Sequence, residues 1–331
     1  MTTESIKSAR VRSAQRKKET GAAALAALFL VGAGCAALFL SGRLAEGVRE
    51  GLRFSAEVIA PALFPSMLFS DLLISFCDFE KLPFLPRRFS RFFGVSPIGI
   101  APFLIGLICG FPLGVKCAVD LYRSGAIRKK EAERLIGFCN NTGPAFLIAG
   151  IGIGLRGSAS DGFLLFSAVF LSALAVGRIG REKQDYFSDN VFIQRQKYSF
   201  VRSVRSAGEN LIGVFSFVTV FSVIADLLGD LLGTRFSFLL IPLLPLLEVG
   251  NAAKFLAQSE ALPPLLSLSL TGFAVGFSGL SVHAQAMFFL AGTDLSTRGY
   301  YKRKFLQGAF AAGISFALFS LRALLLPASA G

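Results

Sequence analysis

Apolar and polar positions do not alternate finely along this chain; long apolar stretches are separated by short, strongly basic ones. Residues 21–40, 58–76, 163–176, 211–228 and 308–326 are apolar runs, each close to the roughly 20 residues that cross a bilayer as a helix. Backbone in lipid must satisfy its own hydrogen bonds, and helices do so within one segment. The pattern therefore predicts an all-α, polytopic membrane protein. The first run follows Lys17 and Lys18; it is too long for a signal-peptide core and no small-residue cleavage site ends it, so it reads as a first span at 21–41 behind a basic arm at 1–20.

Other apolar segments are interrupted. LICGFPLGVKCAVDLY, residues 107–122, places Gly110, Phe111, Pro112 and Gly114 inside an apolar run and then adds Lys116 and Asp120. The basic stretches on either side, 81–91 and 123–134, both favour the cytoplasm under the positive-inside bias. A re-entrant hairpin over about 97–122, with its tip at 110–114, reconciles the two, and irregular backbone at membrane depth survives only where protein or a watery cavity surrounds it. Lys116 and Asp120 then face that cavity, or pair with each other at i, i+4. In RLIGFCNNTGPAFLIAGIGIGL, residues 134–155, Thr142 can cap and Pro144 can begin a second half-helix. Asn140 and Asn141 fall at the break, as a polar site or as hydrogen-bonding glue between helices. Glu248 and Asn251 lie in LLPLLEVGNAAKF, where a carboxylate can hold Na⁺ or a proton, or pair with Lys254 at an interface.

Parts of the chain recur. RFSAEVIAPALFPSMLFSDLL, from 53, resembles RSAGENLIGVFSFVTVFSVIADLL, from 205; GFPLGVKCAVD, from 110, has a counterpart in GFSGLSVHAQA, from 276. Broken segments in corresponding halves point to a transporter site. The expected organisation is a first repeat at 45–180, a cytoplasmic basic linker at 181–204, and an inverted second repeat at 205–327 with its own hairpin near 263–291. The second tip (Gly276, Ser278, Gly279) would bring Ser281, His283 and Gln285 to the site. Inversion places the basic stretch STRGYYKRKF, from 296, on the side opposite the cytoplasmic loops.

Composition narrows the function classes. The chain has 331 residues, 53% hydrophobic, and a mean hydropathy of +0.62. Its net charge of +13 sits in loops between spans, so it sets topology and can touch anionic lipid; nucleic acid is not implied. Cys35, Cys77, Cys109, Cys117 and Cys139 are scattered packing residues, and a single histidine gives no metal cluster. No GxxxxGK[ST] occurs, so no ATP site is read and no cofactor is expected. Ser278 and Ser281 near His283 lack a neighbouring carboxylate, and the chain is not read as an enzyme.

GFPLGVKCAVDLYRSGAIRKKEAERLIGFCNNTGP, with LLEVGN and GFSGLSVHAQ, resembles the YlbJ-type sporulation integral membrane proteins. These belong with proteins carrying the nucleoside-recognition Gate domain, related to concentrative nucleoside transporters and to the Gate segments of ferrous-iron transporters. The resemblance spans about 45–325. It matches the family at Gly110, Phe111, Pro112, Gly114 and Lys116, at Asn140, Asn141, Thr142, Gly143 and Pro144, and at Gly279, Leu280, Val282, His283 and Gln285; Ser278 stands where the family has glycine. It implies a multi-pass inner-membrane protein with a cytoplasmic N-terminus, moving a dipicolinate-like anion or a nucleoside-like solute. The expected binding residues are Lys116, Asn140, Asn141, Thr142, Ser281, His283 and Gln285, with Glu248, Asn251 and Asp120 for a coupling Na⁺ or H⁺, in a protein that can form homo-oligomers. The rival reading is a non-transporting scaffold or a subunit of a spore-envelope complex.

Overall fold

The computed structural model describes residues 41–76, 85–179, 181, 199–233 and 235–325. The chain divides into two compact units, residues 1–49 and 50–331. The basic arm, nearly all of the first span and most of the basic linker lie outside the described residues, as do Cys35 and Cys77. Among the described residues all regular structure is helical.

The first unit contributes the start of α1 (Ser41–Phe54). In the second, a wide turn leads into α2 (Ala60–Phe76), followed by α3 (Leu85–Phe93), α4 (Ile100–Ile108), α5 (Leu113–Arg123) and α6 (Lys129–Leu135). A loop over 136–144 then gives way to a wide helix (Ala145–Leu155) of the π type and to α7 (Ala159–Arg178). After the linker come α8 (Phe200–Leu232), α9 (Leu240–Leu247), α10 (Val249–Gln258), α11 (Pro264–Phe277), α12 (Gly279–Leu290) and α13 (Arg298–Leu325). Among the described residues four stretches are long and apolar enough to cross a membrane: α7, α8, α11 with α12, and α13.

Hydrogen bonds between loops define two ends. Arg134 is buried and donates to Gly94 O (3.0 Å) and Gly177 O (2.8 Å), while Arg303 donates to Arg134 O (3.1 Å). Lys129 pairs with Asp294 (2.9 Å), and Arg123 donates to Ala291 O (2.8 Å). This basic end thus gathers the loops at 94, 123–134, 177 and 291–303. At the far end Arg156 donates to Ser267 Oγ (2.6 Å), Ser267 to Leu256 O (2.6 Å), and Arg322 to Asp161 (2.6 Å). The basic stretch from 296 therefore shares an end with the basic loop 123–134, and the expectation that it lies opposite is corrected. The charge pattern was the better guide.

From the basic end, α4 and α5 form a packed hairpin of two short helices. The tip turns at Gly110, whose φ of +87° favours a residue without Cβ. α6, the loop 136–144 and the wide helix then make an interrupted crossing to the far end, and α7 returns. Ser158 starts α7 by accepting from Asp161 N (3.2 Å). α8 runs toward the far end, its early residues packing near Phe289 and its later ones near Leu240.

The second hairpin is α9 with α10, which pack together; α11 and α12 do not lie along each other. Instead α11 descends from the far end against α13, breaks at Ser278, and continues as α12 to the basic end beside α5 and α8. The hairpin expected near 263–291 is thus an interrupted crossing, and the re-entrant pair occupies 240–258. The turn of this hairpin is at Glu248, and the break between α11 and α12 is at Ser278–Gly279.

Candidate functional site

The interrupted crossings meet at the centre. Asn140, Asn141 and Thr142 are fully buried in non-helical backbone. Their loop is seated on the first hairpin: at Gly106 and Gly114 any Cβ would occupy the space of the Cys139 carbonyl, and Gly143 lies on Gly110. This close approach is what the glycines permit. Thr142 Oγ1 donates to Val275 O (2.7 Å) in the last turn of α11, and Asn141 Nδ2 to Phe138 O (2.9 Å).

One face of α13 completes the cluster. Lys304 Nζ donates to Asn140 O (2.7 Å) and to Gln307 Oε1 (2.8 Å), and Gln307 Nε2 donates to Asn141 Oδ1 (2.7 Å). Asn140 Nδ2 donates to Tyr300 OH (3.0 Å), which lies 2.8 Å from His283 Nδ1. With the carboxamide donating, the phenol's proton goes to Nδ1, and Nε2 of the neutral ring carries a hydrogen. The imidazole is held edge-on by Phe277, Tyr300 and Tyr301.

Two features of this cluster are unusual for a finished interior. His283 Nε2, Asn140 Oδ1 and Gln285 Oε1 are buried without a partner, although buried polar atoms are nearly always paired. Lys304 is fully buried, both its acceptors are neutral, and among the described residues no carboxylate lies within ion-pair distance. The centre therefore presents the Lys304 amine beside the unpartnered Asn140 Oδ1 and His283 Nε2, a set that can hold a small polar molecule, while Gln285 bonds to Ser281 on another face of α12.

The other expected site residues fall into three places. Lys116 is compensated by Asp120 (3.0 Å) and Asp71 (3.4 Å); it forms the i, i+4 pair weighed as its alternative, with Asp71 added. Glu248 is buried and caps α10, accepting from Gly250 N (2.9 Å) and Asn251 N (2.6 Å), while Lys254 is exposed and forms no ion pair with it. The backbone at Leu247–Glu248 lies against Gly279, so this turn touches the break in the second crossing. Ser278 adopts φ 79°, strained for a residue with Cβ, and its hydroxyl donates to Val275 O (3.4 Å). Ser281 Oγ accepts from Gln285 (3.4 Å), and neither serine bonds to His283. At the tips, Phe111 packs edge-on against Phe146, Pro112 caps α5, and Gly276 presses on Ala311 and Gly308.

Tyr300, Lys304 and Gln307 were not among the expected site residues. Their spacing of four and then three puts them on one helical face, and that was the available signal; the surrounding Arg298, Lys302 and Arg303 made the stretch read as a loop.

No family model and no solved structure matches the chain. Among curated proteins it is similar to the sporulation integral membrane protein YlbJ of Bacillus subtilis (strain 168), with 29% identity over 308 residues that cover 81% of this chain and 75% of the relative. A match of that extent, to a chain whose described residues are helical and include four candidate membrane crossings, supports its assignment to the YlbJ-type sporulation integral membrane proteins.

Proposed function

We propose that the protein is a secondary transporter in the cell membrane, with its basic end in the cytoplasm, moving a small anionic solute through the central cluster. The observation that carries this reading is Lys304, fully buried and facing only neutral acceptors beside the unpartnered Asn140 Oδ1 and His283 Nε2. Such a charge costs several kcal/mol to bury unpaired, and a charged solute would supply the missing partner. Intramembrane charge of this kind ordinarily marks a pathway. Between the two solute classes the resemblance offers, Lys304 favours the dipicolinate-like dianion over a neutral nucleoside. Asn140, His283, Tyr300 and Lys304 are the binding residues in this reading, and Glu248, at the tip against Gly279, is the candidate for the coupling ion. The relative's name extends the role to spore formation.

The test is uptake into proteoliposomes containing only this protein, comparing labelled dipicolinate with a nucleoside panel, with and without Na⁺ or proton gradients. Saturable dipicolinate uptake is expected. Uptake of nucleosides alone would overturn the anion assignment, and no flux from inserted, folded protein would favour the scaffold reading.

A further inference from the structure

The far end carries a second cation with no carboxylate of the described residues within ion-pair distance, although the Asp161 carboxylate lies near enough to act on its charge. Arg156 follows the wide helix and reaches α11, where its Nη2 donates to Ser267 Oγ (2.6 Å) and Thr271 Oγ1 (3.3 Å). Both hydroxyl protons are already committed, Ser267 to Leu256 O (2.6 Å) and Thr271 to Ser267 O (2.8 Å). The two hydroxyls therefore offer the guanidinium only lone pairs, which fix its plane without neutralising it. Arg156 Nε is buried and has no acceptor. Asp161 is held by Arg322, and Glu260, in the turn after α10, is exposed and forms no ion pair with Arg156.

A second unpartnered group lies beside it. Ser315, fully buried on α13, has no partner for its hydroxyl and sits against Gly272, next to Thr271. Ser315 shares the buried face of α13 with Lys304, Gln307 and Ala311, and lies about 16 Å along the helix from Lys304. Between the two levels Gly272, Gly276 and Gly308 bring α11 and α13 into direct contact.

We propose that Arg156, Ser267 and Thr271 form a second station for a soluble oxyanion, a carboxylate or a phosphate, at the far end of the path. It takes up or releases the solute while the seam between α11 and α13 is closed. The role in transport rests on the function proposed above; the binding of an oxyanion does not. With Nη2 occupied by the two hydroxyls, the fixed guanidinium keeps its Nε–H free to donate to one oxygen of a ligand.

Equilibrium binding of labelled dipicolinate and labelled inorganic phosphate to the purified protein tests this. Arg156→Gln should weaken one binding event at least tenfold and leave the other, which Lys304→Gln removes; Arg156→Lys, keeping charge without the fork, should fall between. If Arg156→Gln does not fold, Ser267→Ala frees the guanidinium plane and should weaken the same event several-fold. Unchanged binding in the folded variant overturns the station while leaving the transport reading intact. Oxyanion binding lost with Arg156 in a protein that moves no solute does the reverse. Phosphatidylglycerol retained by the wild type and released by Arg156→Gln, with both soluble probes unaffected, would make this a lipid headgroup site and also overturn the station.

Discussion

Replacing Lys304 with glutamine separates stability from function, because the two respond in opposite directions. Lys304 makes two hydrogen bonds to neutral acceptors, at 2.7 and 2.8 Å. Bonds from a charged donor contribute about 1.5–3 kcal/mol each. Against them stands the several kcal/mol needed to bury an ammonium without a counter-charge. Glutamine keeps a donor for Asn140 O and removes the charge, so thermal stability in detergent should be unchanged or raised. An anion about 4 Å from the ammonium, at an effective permittivity of about 20, gains about 4 kcal/mol. Loss of the charge should therefore weaken dipicolinate binding between a hundredfold and a thousandfold. The assay pairs a melting curve with uptake per inserted molecule. Uptake within about tenfold of the wild type would refute the argument. So would a variant that loses several kcal/mol of stability, because the lysine would then be structural.

Two further outcomes follow from the charge pairs. Lys116→Ala leaves Asp71 and Asp120 facing each other half-buried and should cost roughly 1–3 kcal/mol, with uptake per folded molecule retained; the triple variant Lys116→Met, Asp71→Asn, Asp120→Asn should recover the melting temperature, and abolished uptake in folded Lys116→Ala would return Lys116 to the binding site. The hydrogen bond from Tyr122 OH, followed by that from Lys129, holds the Asp294 carboxyl below its ordinary 3.8. Its contribution is then complete above that value and is lost as pH falls through the lower folded value, so hydrogen exchange over 291–297, corrected for intrinsic rate, should accelerate there in the wild type but show no such step in Asp294→Asn.

The parts of the fold that depend on local composition could be read from the sequence. Apolar run length marked the crossings at 163–176, 211–228 and 308–326 but missed the one at 264–290, and the run at 58–76 holds only a shorter apolar helix; Gly110 with Pro112 marked a true hairpin tip. The second hairpin was misplaced because GFSGLSVHAQ shares its Gly-Phe start with the first tip. Ser278 breaks a helix without reversing it, whereas the reversal at Glu248 is made by a capping carboxylate, which leaves no glycine signature at the turn itself. The site divided in the same way. The polar residues of the Asn140–Thr142 loop and His283 stand out against apolar neighbours. Lys304 does not, since only the packing of α13 against α11 and the loop decides that this lysine, and not Lys302, points inward.

The central cluster also bears on how the protein is made. Asn140 finds Tyr300 160 residues further on and Lys304 164 residues further on. Until α13 leaves the ribosome, Asn140 O and Asn141 Oδ1 lack their partners Lys304 and Gln307, and α4 and α5 are too short to cross a bilayer by themselves. The amino-terminal half must therefore wait in the translocon or beside an insertase in an incomplete form. α13 then enters carrying a lysine whose two acceptors include Asn140 O of the waiting half. Assembly of the centre in this sense waits for α13, and nascent chains stalled before residue 298 should be substrates for membrane quality control.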